Sequence, residues 1–361
     1  LGIMSPEYHL SIDQHAIMIT RNIQRRRIAM TKLPPIYRDR EVYSATRLGE
    51  LKNRINTMPG ISDYPNLTVF GAGSFARYEA SEYSDIDIFF LCKGKREKLS
   101  KPHTRELFLF GNLLDTVTKM SFPELSNDCE YLKILHSPDI LEHMGKPTDD
   151  HENYFTVRML LLLESKCLFG EANYNDIISE IISSYFRDYP DHKETFQPIF
   201  LLNDICRFWK TLLMNYESKR GGFDYTEEQK TKQKVKNFKL KFSRMTTCFA
   251  SIASICSYTI PITEEQIIEQ THLTPRQRLE SIPHRMPEAE DAVQDVLDRY
   301  AGFLEKTGLP TDKLESHFSD KQKRIDMFQI ASEYGDSMYN LLQKLDNCQN
   351  DDFKFIRYLV I

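Results

Sequence analysis

The chain has 361 residues, 41% of them hydrophobic and 27% charged, and a formal net charge of −5. This length exceeds the usual single domain and lets either half bury a core, and the composition is that of an ordinary globular protein. The acidic balance argues against a protein that coats nucleic acid through bulk charge, and the longest apolar stretches, residues 159–163 and 248–260, are too short or too interrupted to span a bilayer.

Residues 8–31 read as a helix with a basic cluster at Arg21, Arg25, Arg26 and Arg27, read as a solvated face and ended by Pro34-Pro35. A second helix is expected over 40–57, stopped by Pro59-Gly60. Residues 67–70 and 86–91 are short β-branched and aromatic runs that predict strands. Residues 106–120 fit a helix or a strand equally. From about residue 150 the pattern is almost wholly helical. Helices are expected over 152–168, with Gly170 as C-cap, then 176–189, 196–216 and 227–257, with Gly221-Gly222 as a joint. Residues 275–281 come next, capped by Thr274 with Pro275 at the first position, and then 288–307, 312–318 and 321–345. The fold class expected is α+β: a small mixed-sheet unit with N-terminal helices over 1–150, then an all-helical unit over 151–361 that completes a cleft.

Seven cysteines are scattered without a Cys-x-x-Cys pair, so neither a disulfide framework nor a zinc site is signalled. Reduced, mostly buried thiols and a cytoplasmic, non-membrane protein are expected, and the opening residues show no signal-peptide pattern. His103, His136, His143 and His151 lack metal-ligand spacing.

The chemistry concentrates between Phe70 and Leu91. Side chains two apart on a strand share a face, so Asp85 and Asp87 sit side by side while Ile86 and Ile88 face the apolar side. Adjacent carboxylates repel and call for a cation, and hard oxygen donors on a rigid strand suit Mg²⁺ or Mn²⁺, which also take triphosphate oxygens. Upstream, Gly73-Ser74 closes a glycine turn that lets backbone approach a phosphate, with the Ser74 hydroxyl as a further donor. Arg77 stands one turn on, able to reach a phosphate or to pair with Glu79 or Glu82. Two bland readings compete. Gly71-Ala72-Gly73-Ser74-Phe75-Ala76 also fits a dinucleotide fingerprint, but too few residues follow for a crossover helix. A solvated strand edge is opposed by the apolar run 88–91.

Gly73-Ser74, Arg77 and Ser84-Asp85-Ile86-Asp87 together resemble the signature of the polymerase-beta-like nucleotidyltransferase superfamily. Within it they look most like the bacterial uridylyltransferases of nitrogen regulation and their relatives. Leu163-Glu164-Ser165-Lys166, with Leu168 and Gly170, is similar to a stretch that follows the catalytic unit there. The hydrolytic His-Asp dipeptide of the uridylyltransferases is absent from the sequence, so the resemblance implies transferase chemistry and not nitrogen sensing. It implies transfer of a nucleoside monophosphate from ATP or another nucleoside triphosphate to a hydroxyl of a protein, a nucleotide, an RNA end or a small molecule. Gly73 and Ser74 would hold phosphates, and Asp85 and Asp87 the metal. A third acid is implied on a neighbouring strand, for which Asp115 is chosen and Glu106 held in reserve.

In the basic run 230–244, Lys232, Lys236, Lys239 and Ser243 form one helical stripe and Val235, Phe238 and Phe242 an apolar one. By the same resemblance, Lys239 and Ser243 are candidates for the triphosphate tail. A solvated face balanced by Glu227 and Glu228 is the alternative, and direct nucleic-acid contact a third. Trp209 reads as core, and Arg207 as a cleft residue or a partner of Asp204. The function of a different class that these residues allow is a non-catalytic nucleotide sensor keeping the transferase fold.

Overall fold

The computed structural model describes residues 33–95, 104–123, 132–220, 225–349 and 354–360. The helix expected over 8–31 with its arginine cluster, the Gly221-Gly222 joint, His103 and Cys129 lie outside the described residues. The architecture is α+β: a small mixed sheet and many helices. Among the described residues four strands, β1 (Leu67–Ala72), β2 (Asp87–Cys92), β3 (Ile134–His136) and β4 (Ser165–Phe169), are ordered β3-β2-β1-β4. β1 is central and antiparallel to β2 and β4, while β2 and β3 run parallel.

Both faces of the sheet are covered, which is why β1 is buried at all six positions rather than alternating. One face, with Val69, Ile88 and Phe90, packs on Leu48, Leu51 and Ile55 of the Pro35–Asn56 helix and on Leu109, Leu113 and Val117 of the Thr104–Lys119 helix. The other, with Phe70, Phe89 and Leu91, joins the large core of the helical half. The Phe70 and Phe89 rings stack across the β1–β2 pair at 5.3 Å.

Three expectations change. Residues 152–168 are not one helix: the Tyr154–Leu163 helix ends at Glu164, and β4 comes next. Gly170, at φ 70°, caps the start of the Glu171–Tyr185 helix rather than the end of the preceding one. A Cβ there would meet the Leu67 carbonyl oxygen at 2.1 Å, so the crossing of the two chain segments requires glycine. The sheet therefore takes its fourth strand from beyond residue 150. The helix expected over 227–257 runs through, but as Glu227–Lys239, a π-helical turn Leu240–Arg244, and Met245–Cys256. Residues 106–120 resolve as a helix, because Leu109, Leu113 and Val117 recur every fourth residue and bury one stripe. The Pro275–Ser281 helix forms as expected, with Thr274 accepting from the Gln277 backbone in a capping box.

The first described helix ties the sheet to the helical half. The Tyr37 hydroxyl donates to the Leu297 carbonyl at 2.7 Å, and Arg40 donates to the carbonyls of Ala80 and Leu304. Trp209, half-buried, packs edge-on to Phe249 against the large core. Arg207 pairs with Asp204 and Asp150, beside the buried pair in which Arg158 grips Asp149 through two 2.8 Å hydrogen bonds. No described helix is long and apolar enough to cross a membrane.

Candidate functional site

β1 ends in the glycine turn, and β2 begins with the second aspartate. The antiparallel register sets Ala72 opposite Asp87 and so brings the two halves of the motif together. Gly73 adopts φ 73°, and a Cβ built on it would lie 2.7 Å from the Asp87 carboxylate oxygen Oδ2. Glycine is thus required twice, for the left-handed backbone and for the approach of a carboxylate. Asp85 is exposed just before the strand and Asp87 half-buried at its first position, while Ile86 and Ile88 are buried. Ile88 belongs to the core face covered by the Pro35–Asn56 helix, and Asp87 shares the other face with Phe89 and Leu91. The acid pair therefore opens toward the helical half.

Two cations from that half answer it. Lys239, the last residue of the Glu227–Lys239 helix, is solvent-accessible yet crowded by neighbouring protein atoms. That desolvation lowers its pKa, and Asp85 opposes the shift. Arg244 ends the π turn. Burial and the neighbouring Arg77 lower its pKa, while Asp87 and, less strongly, Asp85 pull against them. Only one turn separates these two cations. An i→i+5 turn inserts a residue into the α-helical count and rotates the succeeding side chains by about 100°, and such bulges recur at functional sites. Ser243 lies inside this turn and donates back to the Lys239 carbonyl at 2.9 Å. On the same helix Lys230 and Lys232 pair with Glu227 and Glu228, so that end of the basic run is a solvated, balanced face.

Arg77 does not face the cleft as a free phosphate donor. Its guanidinium is buried, with Nε donating to Glu79 and Nη1 to Glu164, each at 2.6 Å. Burial works against its charge, and Glu79 with Tyr300 more than offsets that, so its pKa rises. Of the two alternatives for Arg77, pairing is what forms, because burying a guanidinium demands carboxylate compensation. Glu164 is the hub: it accepts from Arg77 and from the Thr247 hydroxyl at 2.8 Å, and ion-pairs with Arg244. Tyr300 adds a 2.8 Å hydrogen bond to Glu79. This network locks Arg244 in place beside the acids.

Asp115 is placed differently from expectation. It stands on the Thr104–Lys119 helix, not a strand, with its side chain 56% exposed and paired to Lys119 at 2.7 Å. The four-residue recurrence of Leu109, Leu113 and Val117 outweighs the local β propensity of Thr116-Val117-Thr118. Glu106 lies in the first turn of the same helix. Among the described residues, no group of three or more His, Cys, Asp or Glu is arranged to hold a metal.

The structure thus brings Gly73, Asp85, Asp87 and Lys239 to one place, with Ser74 half-buried beside them, and leaves Asp115 and Arg77 outside it. Arg244 and Glu164 are the additions. Arg244 closes the basic run and Glu164 sits in the Leu-Glu-Ser-Lys stretch, but nothing local marks either as a partner of the acids. No protein-family model matches this chain, and no match is found among curated proteins.

Proposed function

We propose that the chain is a metal-dependent nucleotidyltransferase of the polymerase-beta-like kind, transferring a nucleoside monophosphate from a nucleoside triphosphate to a hydroxyl acceptor. One observation carries the reading: the left-handed Gly73 turn abuts the Asp87 carboxylate, so a phosphate cradle and a paired-acid site share one spot. Arg244 and Lys239 supply positive charge across from it, where a triphosphate's charge needs compensation.

The donor set fits Mg²⁺ or Mn²⁺. Asp85 and Asp87 offer hard oxygens at the open end of a strand, and an octahedral ion normally completes its shell with water and substrate phosphate. When bound, such an ion would neutralise developing charge on the phosphoryl oxygens. In this reading Asp85 and Asp87 hold the ion, and the Ser74 hydroxyl and the Gly73 backbone orient the triphosphate. Lys239 and Arg244 bind the anionic tail and favour departure of pyrophosphate. The acceptor hydroxyl oxygen bonds to the α-phosphorus as the bond to the bridging oxygen breaks, its proton passes to water, and the electron pair leaves on pyrophosphate.

A second reading, a nucleotide sensor without catalysis, is favoured by the position of Asp115, since two acids rather than three meet the turn among the described residues. Pyrophosphate release from each of the four ribonucleoside triphosphates, with Mg²⁺ or Mn²⁺, separates the two. The transferase reading expects release, with Asp87→Asn reducing it at least a hundredfold, about 3 kcal/mol of barrier, at unchanged circular dichroism. Nucleotide binding with no release in any combination favours the sensor. Full activity in Asp87→Asn refutes the metal role.

A further inference from the structure

A cavity of about 490 Å³ opens on the other side of β1, against the edge strand β4. Its size falls in the range of about 300–1,000 Å³ typical of small-molecule sites. Lys166 on β4 is opposite Gly71, which is in turn opposite Ile88 on β2. Two strand spacings, roughly 10 Å, thus separate this pocket from the acid strand. It is a different site.

Lysines on edge strands commonly serve only to deter pairing with other chains, and then they extend into water. Lys166 does not. It is half-buried, folds over the Tyr78 ring at 5.3 Å, and donates to the His272 carbonyl at 2.7 Å. That acceptor is neutral. Glu171, the acid in the pocket wall, is bridged by Lys52 at 3.3 Å, and Glu41, whose field reaches Lys166, is bonded to Arg276 at 2.7 Å. Behind the pocket Arg278 is fully buried and, among the described residues, donates only to neutral oxygens, those of Leu162, Leu163, Gln270 and Ser251. The result, among the described residues, is a concave wall whose positive charge has no carboxylate partner of its own, flanked by the apolar sides of Ala45, Leu48 and Leu168.

We propose that this pocket binds a small organic anion, a flat apolar body carrying one phosphate or carboxylate, with Lys166 as the partner of the anionic group and Tyr78 against the ring. An anion would compensate the charge that Lys166 and Arg278 leave open, and the Tyr78 ring beside Lys166 offers an aromatic surface in the pocket wall. The inference does not rest on the transferase reading.

Pyridoxal 5′-phosphate is a suitable probe because it joins a phosphate, a flat ring and an aldehyde. Burial, then Arg278, lower the Lys166 pKa to about 8, so much of the amine is neutral at pH 8. The neutral amine attacks the aldehyde carbon, the carbinolamine loses water to give an imine, and added borohydride delivers hydride to leave a stable secondary amine. Peptide mapping of the full chain is expected to find Lys166 as the principal labelled lysine. Inorganic phosphate and benzoate, tested separately, reveal which anionic group the site prefers by which one protects. Lys166→Met is expected to lower affinity for the protecting anion about tenfold or more, the worth of one charge-assisted hydrogen bond. Lys166→Arg, which keeps the charge and removes the nucleophile, is expected to retain that affinity and lose the label. Label spread evenly over surface lysines without protection by either anion overturns the proposal, as does label concentrated at Lys239.

Discussion

Substituting Gly73 by alanine tests the geometry on which the functional reading stands. The structure implies two costs. A left-handed backbone at φ 73° disfavours an L-residue by about 1–2 kcal/mol. In addition the new Cβ would stand 2.7 Å from Asp87 Oδ2, whereas ordinary contact begins at 3.4 Å, so the carboxylate must withdraw by roughly 0.7 Å. A displacement on that scale at a reacting centre costs on the order of tenfold to a hundredfold in rate. Gly145 provides the control: its φ is 76° and a Cβ there meets nothing within 4 Å. Gly145→Ala should therefore carry the backbone cost alone. Urea denaturation is expected to show a loss of about 1–2 kcal/mol in both variants, with any excess in Gly73→Ala due to the Asp87 contact. Metal-dependent nucleotide binding and pyrophosphate release should fall only in Gly73→Ala. If the two variants behave alike in both assays, the approach of Gly73 to Asp87 has no functional meaning.

The buried charges carry two further outcomes. Arg278→Met removes four hydrogen bonds that cover the last carbonyls of the Tyr154–Leu163 helix, the Gln270 carbonyl and the Ser251 hydroxyl, and should cost about 2–4 kcal/mol in urea unfolding. It should also raise the pH at which Lys166 reacts with an aldehyde, because Arg278 is one of the causes that hold the Lys166 pKa down. The Lys166 pKa is about 8 in the folded chain against an ordinary 10.5, so the unfolded chain binds more protons between these values. Stability should rise with pH across that window, less steeply in Lys166→Met, with Lys52, Glu171, His272, Tyr78, Tyr174 and Glu41 as the titratable surroundings. A wild type and a Lys166→Met variant with parallel stability profiles from pH 8 to 10 would refute the depressed pKa.

Features that repeat locally were legible in the chain alone. The two strands flanking the glycine turn, the capped helix at Pro275–Ser281 and the helices after residue 170 arise from periodicities of two and 3.6 and from Pro and Gly signals, whereas Asp85 falls just before the strand that was expected to carry both acids. Features that depend on partners distant along the chain emerged only on folding. Ser165–Phe169 reads as the tail of a helix until β1 offers it a ladder, and Asp115 reads as strand until the core selects the Leu109–Leu113–Val117 stripe. Arg77 was legible as a cation but not as buried, since Glu164, 87 residues on, is the group that makes its burial tolerable. Arg244 faces the acids because that same Glu164 holds it and a π turn re-aims it, and neither a distant ion pair nor an extra residue in a helical turn leaves a periodic mark in the chain.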